Sequence, residues 1–486
     1  MTKRLFGYDW LAHEKEFEEE IRRTKDDSEF ARTIDRILDL TCDAHTWIAS
    51  PEYWRAYCTL PPFDEIAGNV PEEAVVYWNE LASRGLNEYE IFPALYFEGE
   101  YVVVTGLDLA GHLVKPGWVV TQVNGTEVDR FVLEQGVGLR YDPVRHKPYV
   151  IALGLPASSK VELTFEDGEG NRVVAEVVPS QENWPENYYR PSYYSSEEGT
   201  WVHDSLFMTV IPGVAGYMHF WRMPAFNEED WASVKEFLSS VKDLPALIID
   251  VRCVPGGVAT TWKSLVCLLA REPLRYDSYF SPRTGAYVRE LFPKYFAAEK
   301  PDLEKENPEF ARMLPPEVLT EDYGMPVQEW TEIRPSEDSI GYSGKIFVLV
   351  DHRSFSAADQ FAYFCKRTGW ATVVGTFTQG GGNGPYYCLA PLVLPNSKMV
   401  VYFPFAISLE PEGRSYEEYG RMPDVYVADR ETFVKYVNAL IKGEKLKSFD
   451  PEYDAVLRKC LEIIESSRHL INSTFPHCVE REAIAD

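Results

Sequence analysis

Three short runs constrain this chain more than anything else in it: ALIIDV (246–251), KIFVLVD (345–351) and ATVVGT (371–376). They are almost continuously apolar rather than alternating. Each therefore needs cover on both faces, the condition of a strand inside a parallel sheet. The first two run into helical patterns, DVRCVPGG into ATTWKSLVCLLA and DHRSFS into AADQFAYFCKRT. Upstream, GYMHFW (216–221) precedes EEDWASVKEFLSSVKDL, where Asn227 stands as the N-cap and Trp231, Val234, Leu238 and Val241 share a face. Strands alternating with helices predict an α/β fold with covered parallel strands over about 200–435. A polar stretch rich in Pro and Glu, about 275–343, reads as an insertion into it.

The flanking segments read differently. Residues 1–92 are predicted to be helical. In DDSEFARTIDRILDL, Phe30, Ile34, Ile37 and Leu38 fall on one helical face, with Asp27 or Ser28 as the cap. TCDAHTWIAS then places His45 on the turn into a β-like stretch. From 93 to 180 the pattern changes to short β segments, YVVVTGL, WVVTQVNGTEV, KVELTFED and NRVVAEVVP. Asn-Gly at 124–125, between β-prone runs, signals a hairpin. Residues 436–486 contain a charged helix, YDAVLRKCLEIIESS, expected to pack on the outside.

Composition removes several function classes. A net charge of −28 argues against nucleic acid or an anionic membrane surface as a partner, since both call for basic patches. The eight cysteines are scattered without a CxxC pair, several inside apolar runs, so neither a disulfide framework nor a zinc site is expected. No run approaches the roughly 20 apolar residues of a membrane-spanning helix. The N-terminal stretch lacks an apolar signal core, which reads as cytoplasmic, or as exported or periplasmic if a leader preceded it. There is no Walker loop, HExxH or strand-anchored GxGxxG, so no metal, nucleotide or other cofactor is called for.

What remains is the pair Ser354 and Ser356, at the junction of a buried strand and a helix. A serine hydroxyl attacks only with a general base in reach and donors for the oxyanion that forms. A helix beginning near Ala357 offers that residue's unsatisfied N–H, with Phe361, Phe364 and Cys365 anchoring the helix on the sheet. Gly256 and Gly257, at the end of the neighbouring strand run, offer a second donor. In parallel sheets such groups collect at the carboxyl ends of strands.

Four segments in order, LIIDVRCVPGG, FVLVDHRSFSAADQFAYF, VVGTFTQGG and EEYGRMPDV, resemble the motifs of the S41 peptidases, the C-terminal-processing (tail-specific) and tricorn-type serine proteases. LAGHLVKPGWVVTQVNGTEV resembles part of a PDZ domain, which fits that family's domain order. The resemblance implies a crotonase-like (ClpP/crotonase) spiral catalytic α/β domain at 200–435, an N-terminal helical region at 1–92, a small PDZ-like β domain at 93–180 and a C-terminal helical extension at 436–486. It implies a serine peptidase whose partner is a polypeptide, often cut near its C-terminus. Asp359 takes the family's acidic position, which makes Ser356 the nucleophile and leaves Ser354 to the turn. The processing branch's lysine is missing, because Gly381 stands at its place and no lysine occurs between Lys366 and Lys398. LTCDAHTWI and YDW instead resemble the tricorn-like branch, with His45 as general base and Ala44 where some relatives have serine or glycine. His219 and His352 are rivals for that role. Glu417 falls at the position of the orienting acid, with Glu418 the alternative, and Asp424 reads as a cap or turn residue. The oxyanion hole falls to Gly257 or Gly256 together with Ala357. An inactive peptide-binding scaffold of the same fold is the alternative reading. Thioester chemistry in a crotonase-like site is a weaker one, since nothing resembles an acyl-carrier pocket.

Overall fold

The computed structural model describes residues 2–84, 89–109, 112–157, 159–179, 199–297, 302–381, 389–444, 446 and 450–474. The chain divides into two compact units. One comprises 1–188, 275–331 and 379–421, and the other 189–274, 332–378 and 422–486.

In the first unit the helix Asp27–Asp39 is capped by Asp26, whose side chain accepts the Glu29 N–H at 2.8 Å. The expected caps, Asp27 and Ser28, already lie inside the first turn. A cap needs non-helical backbone, and Asp26 supplies it with φ −150°. This helix serves two cores. Ile37, with Leu40 just beyond it, packs into the core of the β sheet built from residues 89–177. Ala31, flanked by Phe30, Ile34 and Leu38, packs with Ile48, Trp78, Met399 and Val401. The sheet runs in the order 152–156, 89–97, 100–103, 119–123, 161–166, 172–177. Its Asn124-Gly125 hairpin has positive φ at both residues (49° and 75°), closing a two-residue turn on the pair Val123 and Thr126.

Beyond the helix, the strand Trp47–Ile48 pairs antiparallel with Val400–Pro404 (Trp47 opposite Tyr402), which in turn pairs with Leu389–Val393. The stretch read as a polar insertion carries regular elements of its own. Its strand Leu274–Pro282 pairs with Ala406–Leu409, and Leu314, Val318 and Tyr323 close a core with Ile407 and Leu409.

The second unit is one sheet in the order 200–202, 206–211, 215–220, 246–250, 345–350, 372–375, 425–426. From 215–220 onward all neighbours are parallel. Tyr217, Ile248, Phe347, Leu349 and Val374 face Leu457, Cys460 and Ile464 of the helix Ala455–Thr474. The intervening residues Leu247, Ile249, Val348 and Val350 are also fully buried. Cover on both faces explains why these strands read as unbroken apolar runs. The helices Ala259–Leu269 and Ala357–Thr368 meet through Trp262, whose ring lies 5.6 and 5.2 Å from those of Phe361 and Phe364. Helix Glu228–Val241 opens with a full capping box between Asn227 and Asp230. Among the described residues, no cysteine forms a disulfide and no helix is long and apolar enough to cross a membrane.

Asp26→Ala should destabilise the helix that leads to His45 by about 1 kcal/mol and speed amide exchange at Glu29, with Asp27→Ala costing less than half as much. Native-state hydrogen exchange checks this, and equal effects from the two would contradict the cap assignment.

Candidate active site

In the second unit, the strands Ala246–Asp250 and Lys345–Val350 are adjacent, parallel and in register, Asp250 opposite Leu349. Whatever follows them emerges side by side at one carboxyl edge. After the second strand the chain turns through 351–356 and enters the helix at Ala357, where the sequence placed its start. Ser356 is the residue before that helix and has φ 54°, ψ −115°. Left-handed backbone at a residue with a side chain costs on the order of 1–3 kcal/mol and persists only where the surroundings fix it. Its hydroxyl makes no capping hydrogen bond to the helix. Ser354 does the structural work: its Oγ donates to the Val251 carbonyl at 2.8 Å and accepts the Asp351 N–H at 3.0 Å. Phe361, Phe364 and Cys365 are fully buried, as the anchoring of this helix requires.

The turn after the first strand has Gly256 at φ 103° and Gly257 at φ 130°. A Cβ on Gly256 would lie 2.6 Å from the Ser356 Cβ and 3.2 Å from the Ala357 nitrogen. One on Gly257 would lie 2.1 Å from the Met223 carbonyl oxygen. Only glycine lets the backbone come this close to the serine turn. Met223 pins the turn from outside, donating its N–H to the Gly256 carbonyl (2.9 Å) and accepting the Val258 N–H (2.7 Å). Among the described residues, the N–H groups of Gly256, Gly257 and Ala357 donate to no other group. Ala357 stands in the first turn of a 12-residue helix, where unsatisfied donors and partial positive charge favour an anion.

In the first unit, His45 sits on a turn built by Asp43. One carboxylate oxygen of Asp43 accepts the His45 N–H at 2.9 Å, and the other accepts the Thr46 hydroxyl at 2.9 Å. The imidazole is buried, 5.6 Å from the Trp47 ring. Burial pushes its pKa down to about 4, against the opposing charge of Asp43. Glu417, on the single turn Tyr416–Tyr419, accepts the Ser415 hydroxyl at 3.0 Å. Burial pushes its carboxyl up to about 7. The charge of Asp43 adds to the rise, while its own N–H, Ser415 and Arg421 oppose it. Glu418 is engaged elsewhere, gripped by both terminal nitrogens of Arg4 at 2.5 and 2.8 Å, and Arg4 also pairs with Glu317.

The rival histidines have other surroundings. His219 is buried in the second unit, stacked on Trp221 at 4.2 Å and 3.8 Å from Asp250, and burial lowers it to about 4. The His352 ring lies 6.2 Å from that of Phe377. Asp424 accepts the Val373 N–H at 2.8 Å and pairs with Lys366, the work of a turn residue. Two carboxylates that sequence reasoning passed over, Asp43 and Asp351, hold the turns that carry His45 and Ser356. The signal for Asp43 is local, an aspartate two residues before the N–H it receives.

Comparison with known proteins adds a family. Residues 215–427 match the model of Peptidase family S41. Among solved structures, mature CPAF superposes with a TM-score of 0.53 at 14% identity, covering 97% of this chain and 94% of that one. Mature CPAF complexed with lactacystin gives 0.51 at 14% identity, over 97% and 95%. At that identity the likeness is one of fold.

The two buried titrations pull stability in opposite directions. Between pH 4 and 6.5 the unfolded chain holds the extra proton at His45, so stability rises with pH there. Between pH 4.5 and 7 the folded chain holds the extra proton at Glu417, so stability falls as pH rises through that window. Glu417→Gln should therefore gain on wild type from pH 5 to pH 8, by on the order of 2 kcal/mol in urea denaturation. An unchanged difference across that range would contradict the buried-carboxyl assignment.

Proposed function

We propose, for a chain that belongs to peptidase family S41 through residues 215–427, a serine peptidase of the tricorn-like Ser-His-Glu type, with Ser356 as nucleophile, His45 as general base and Glu417 as orienting acid. The observation that carries this reading is Ser356 itself. It is held in left-handed backbone at the start of a helix, with Gly256 packed against it and uncommitted N–H groups on both turns.

The chemistry follows from these groups. A peptide carbonyl that enters the serine turn meets the Ser356 hydroxyl, and the N–H groups of Ala357 and Gly257 (or Gly256) receive the developing oxyanion. His45, neutral at pH 7 because burial holds its pKa near 4, accepts the hydroxyl proton as the C–O bond forms. It returns that proton to the departing amine nitrogen as the C–N bond breaks, leaving an ester on Ser356. Water, deprotonated by His45, then attacks the ester and frees the acid. Glu417 orients the imidazole and, once ionised, stabilises the imidazolium. Its carboxyl near 7 supports an activity that climbs as pH rises through neutrality. The Arg4 grip on Glu418 supports Glu417 over its neighbour.

The parallel sheet with its covering helices supports a crotonase-like catalytic domain at 200–435. The sheet with its Asn-Gly hairpin and the helix Val128–Gln135 supports a PDZ-like domain at 93–180, between an N-terminal helical region at 1–92 and an extension at 436–486. In such a domain an extended polypeptide end binds by adding a strand to the sheet.

Ser356→Ala and His45→Ala should each lower kcat/KM on a cleaved peptide by about 10⁴-fold or more. Glu417→Gln should cost at least about 10²-fold and remove the acid limb near pH 7, while Glu418→Gln stays within a few-fold of wild type. If wild type cleaves nothing in a broad peptide library and ignores a fluorophosphonate probe, the proposal fails. If Glu418→Gln is the inactive variant, the acid has been misassigned.

A further inference from the structure

Asp351 ends the strand Lys345–Val350 and opens the turn to Ser356. Its carboxylate is buried and reaches two different loops. One oxygen accepts the N–H of Cys253, on the Gly-Gly turn, at 2.9 Å, and the N–H of Arg353, on its own turn, at 3.0 Å. The other accepts the Arg353 guanidinium through Nε at 2.9 Å and Nη2 at 2.7 Å. Burial alone would raise its pKa. The charges of Arg353 and His352 and the Cys253 N–H hold it well below the usual carboxylate range instead, so it stays an anion through the working pH range.

The residue it grips is unusual. Cys253 has φ 60°, left-handed backbone at a residue with a side chain, three positions before Gly256. Such a conformation does not hold itself. Two other links tie the loops, Ser354 Oγ to the Val251 carbonyl at 2.8 Å and the Phe355 N–H to the Val254 carbonyl at 3.0 Å. Among the described residues, Asp351 is the hydrogen-bond partner of Cys253, the left-handed residue from which the Gly-Gly turn departs. The carboxylate is thus one of three links between the loops, and the one that holds the strained residue leading into the glycine donors.

We propose that Asp351 is a positioning residue for catalysis, clamping the Gly-Gly turn to the serine turn and so setting the spacing of the oxyanion donors around Ser356. The proposal rests on the reading of Ser356 as nucleophile and names a residue that touches no substrate. It acts in the second unit alone. Oxyanion donors work only when preorganised, and a displacement of about 1 Å can cost on the order of 100-fold in rate.

The test is kinetic, on the full chain, with Asp351→Ala, Asp351→Asn and Asp351→Glu. The readouts are kcat, KM, the inhibition constant of a peptidyl boronate that forms a tetrahedral adduct on serine, and the melting midpoint. Asp351→Ala should lower kcat by about 100-fold with KM within about threefold, and weaken the boronate by the same factor as kcat. Asn keeps an acceptor at the same place and should recover most of kcat. Glu keeps the charge but displaces it, and should recover little. If Ala does not fold, the Asn and Glu pair decides. The proposal is overturned if folded Asp351→Ala keeps its kcat, if KM rises while kcat holds, or if Glu rescues better than Asn. It is overturned too if activity in all three falls only with the folded fraction. Ser356→Ala run alongside separates the failures: residual cleavage there sinks the nucleophile, whereas an inactive Ser356→Ala beside unimpaired Asp351 variants sinks the clamp alone.

Discussion

The in-register parallel pairing of Ala246–Asp250 with Lys345–Val350 is the constraint on which the rest of the site depends. Gly256 and Ser356 are 100 positions apart, and neither belongs to a strand. They become neighbours because both strands stop at one edge and the ladder continues briefly into the turns, with the Val251 N–H on the Leu349 carbonyl and the Phe355 N–H on that of Val254. A slip of one residue would turn the side chains of a strand to the wrong face and part the two turns. Burial on both faces forbids that slip, since Ile248 and Leu349 face the C-terminal helix while Ile249 and Val348 are buried on the other side.

Within each unit, the buried polar groups are arranged by what burial does to them. In the second unit the anions are paired. Asp351 is met by Arg353, and Asp250 by Arg252, which also bridges to Asp454 at the start of the C-terminal helix. Partnered in this way, the charges fix geometry. In the first unit, burial drives both His45 and Glu417 toward their neutral forms. In the roles proposed for them, a base kept neutral and an acid poised near neutrality suit proton transfer.

Much of this was legible in the sequence because it is local or periodic. The unbroken apolar runs gave the parallel strands, Asn124-Gly125 the hairpin and Asn227 its cap. The change of pattern after Ser356 gave the helix start at Ala357. The resemblance left Ser354 to the turn, and its bonds to the Val251 carbonyl and the Asp351 N–H are those of a turn residue. The cap of the helix Asp27–Asp39 is not legible in this way: Asp26, Asp27 and Ser28 are all competent caps, and only the backbone conformation chooses. The stretch 275–343 looked like a polar insertion because it is rich in Pro and Glu. Leu314, Val318 and Tyr323 acquire a core only when Ile407 and Leu409 arrive from far along the chain. Asp351 was hidden for the same reason, since its bond to Cys253 spans 98 positions and no local pattern announces it.

The central claim is that Ser356 carries an acyl group during turnover and that His45 drives its formation. Rapid acid quench of the protein mixed with an activated peptide ester, followed by peptide mapping, tests it most directly. The account predicts one acyl group per chain on Ser356, formed in a burst that slows as pH falls below about 7 and is absent in His45→Ala. Turnover without a covalent adduct, or an acyl group on another residue, would contradict it.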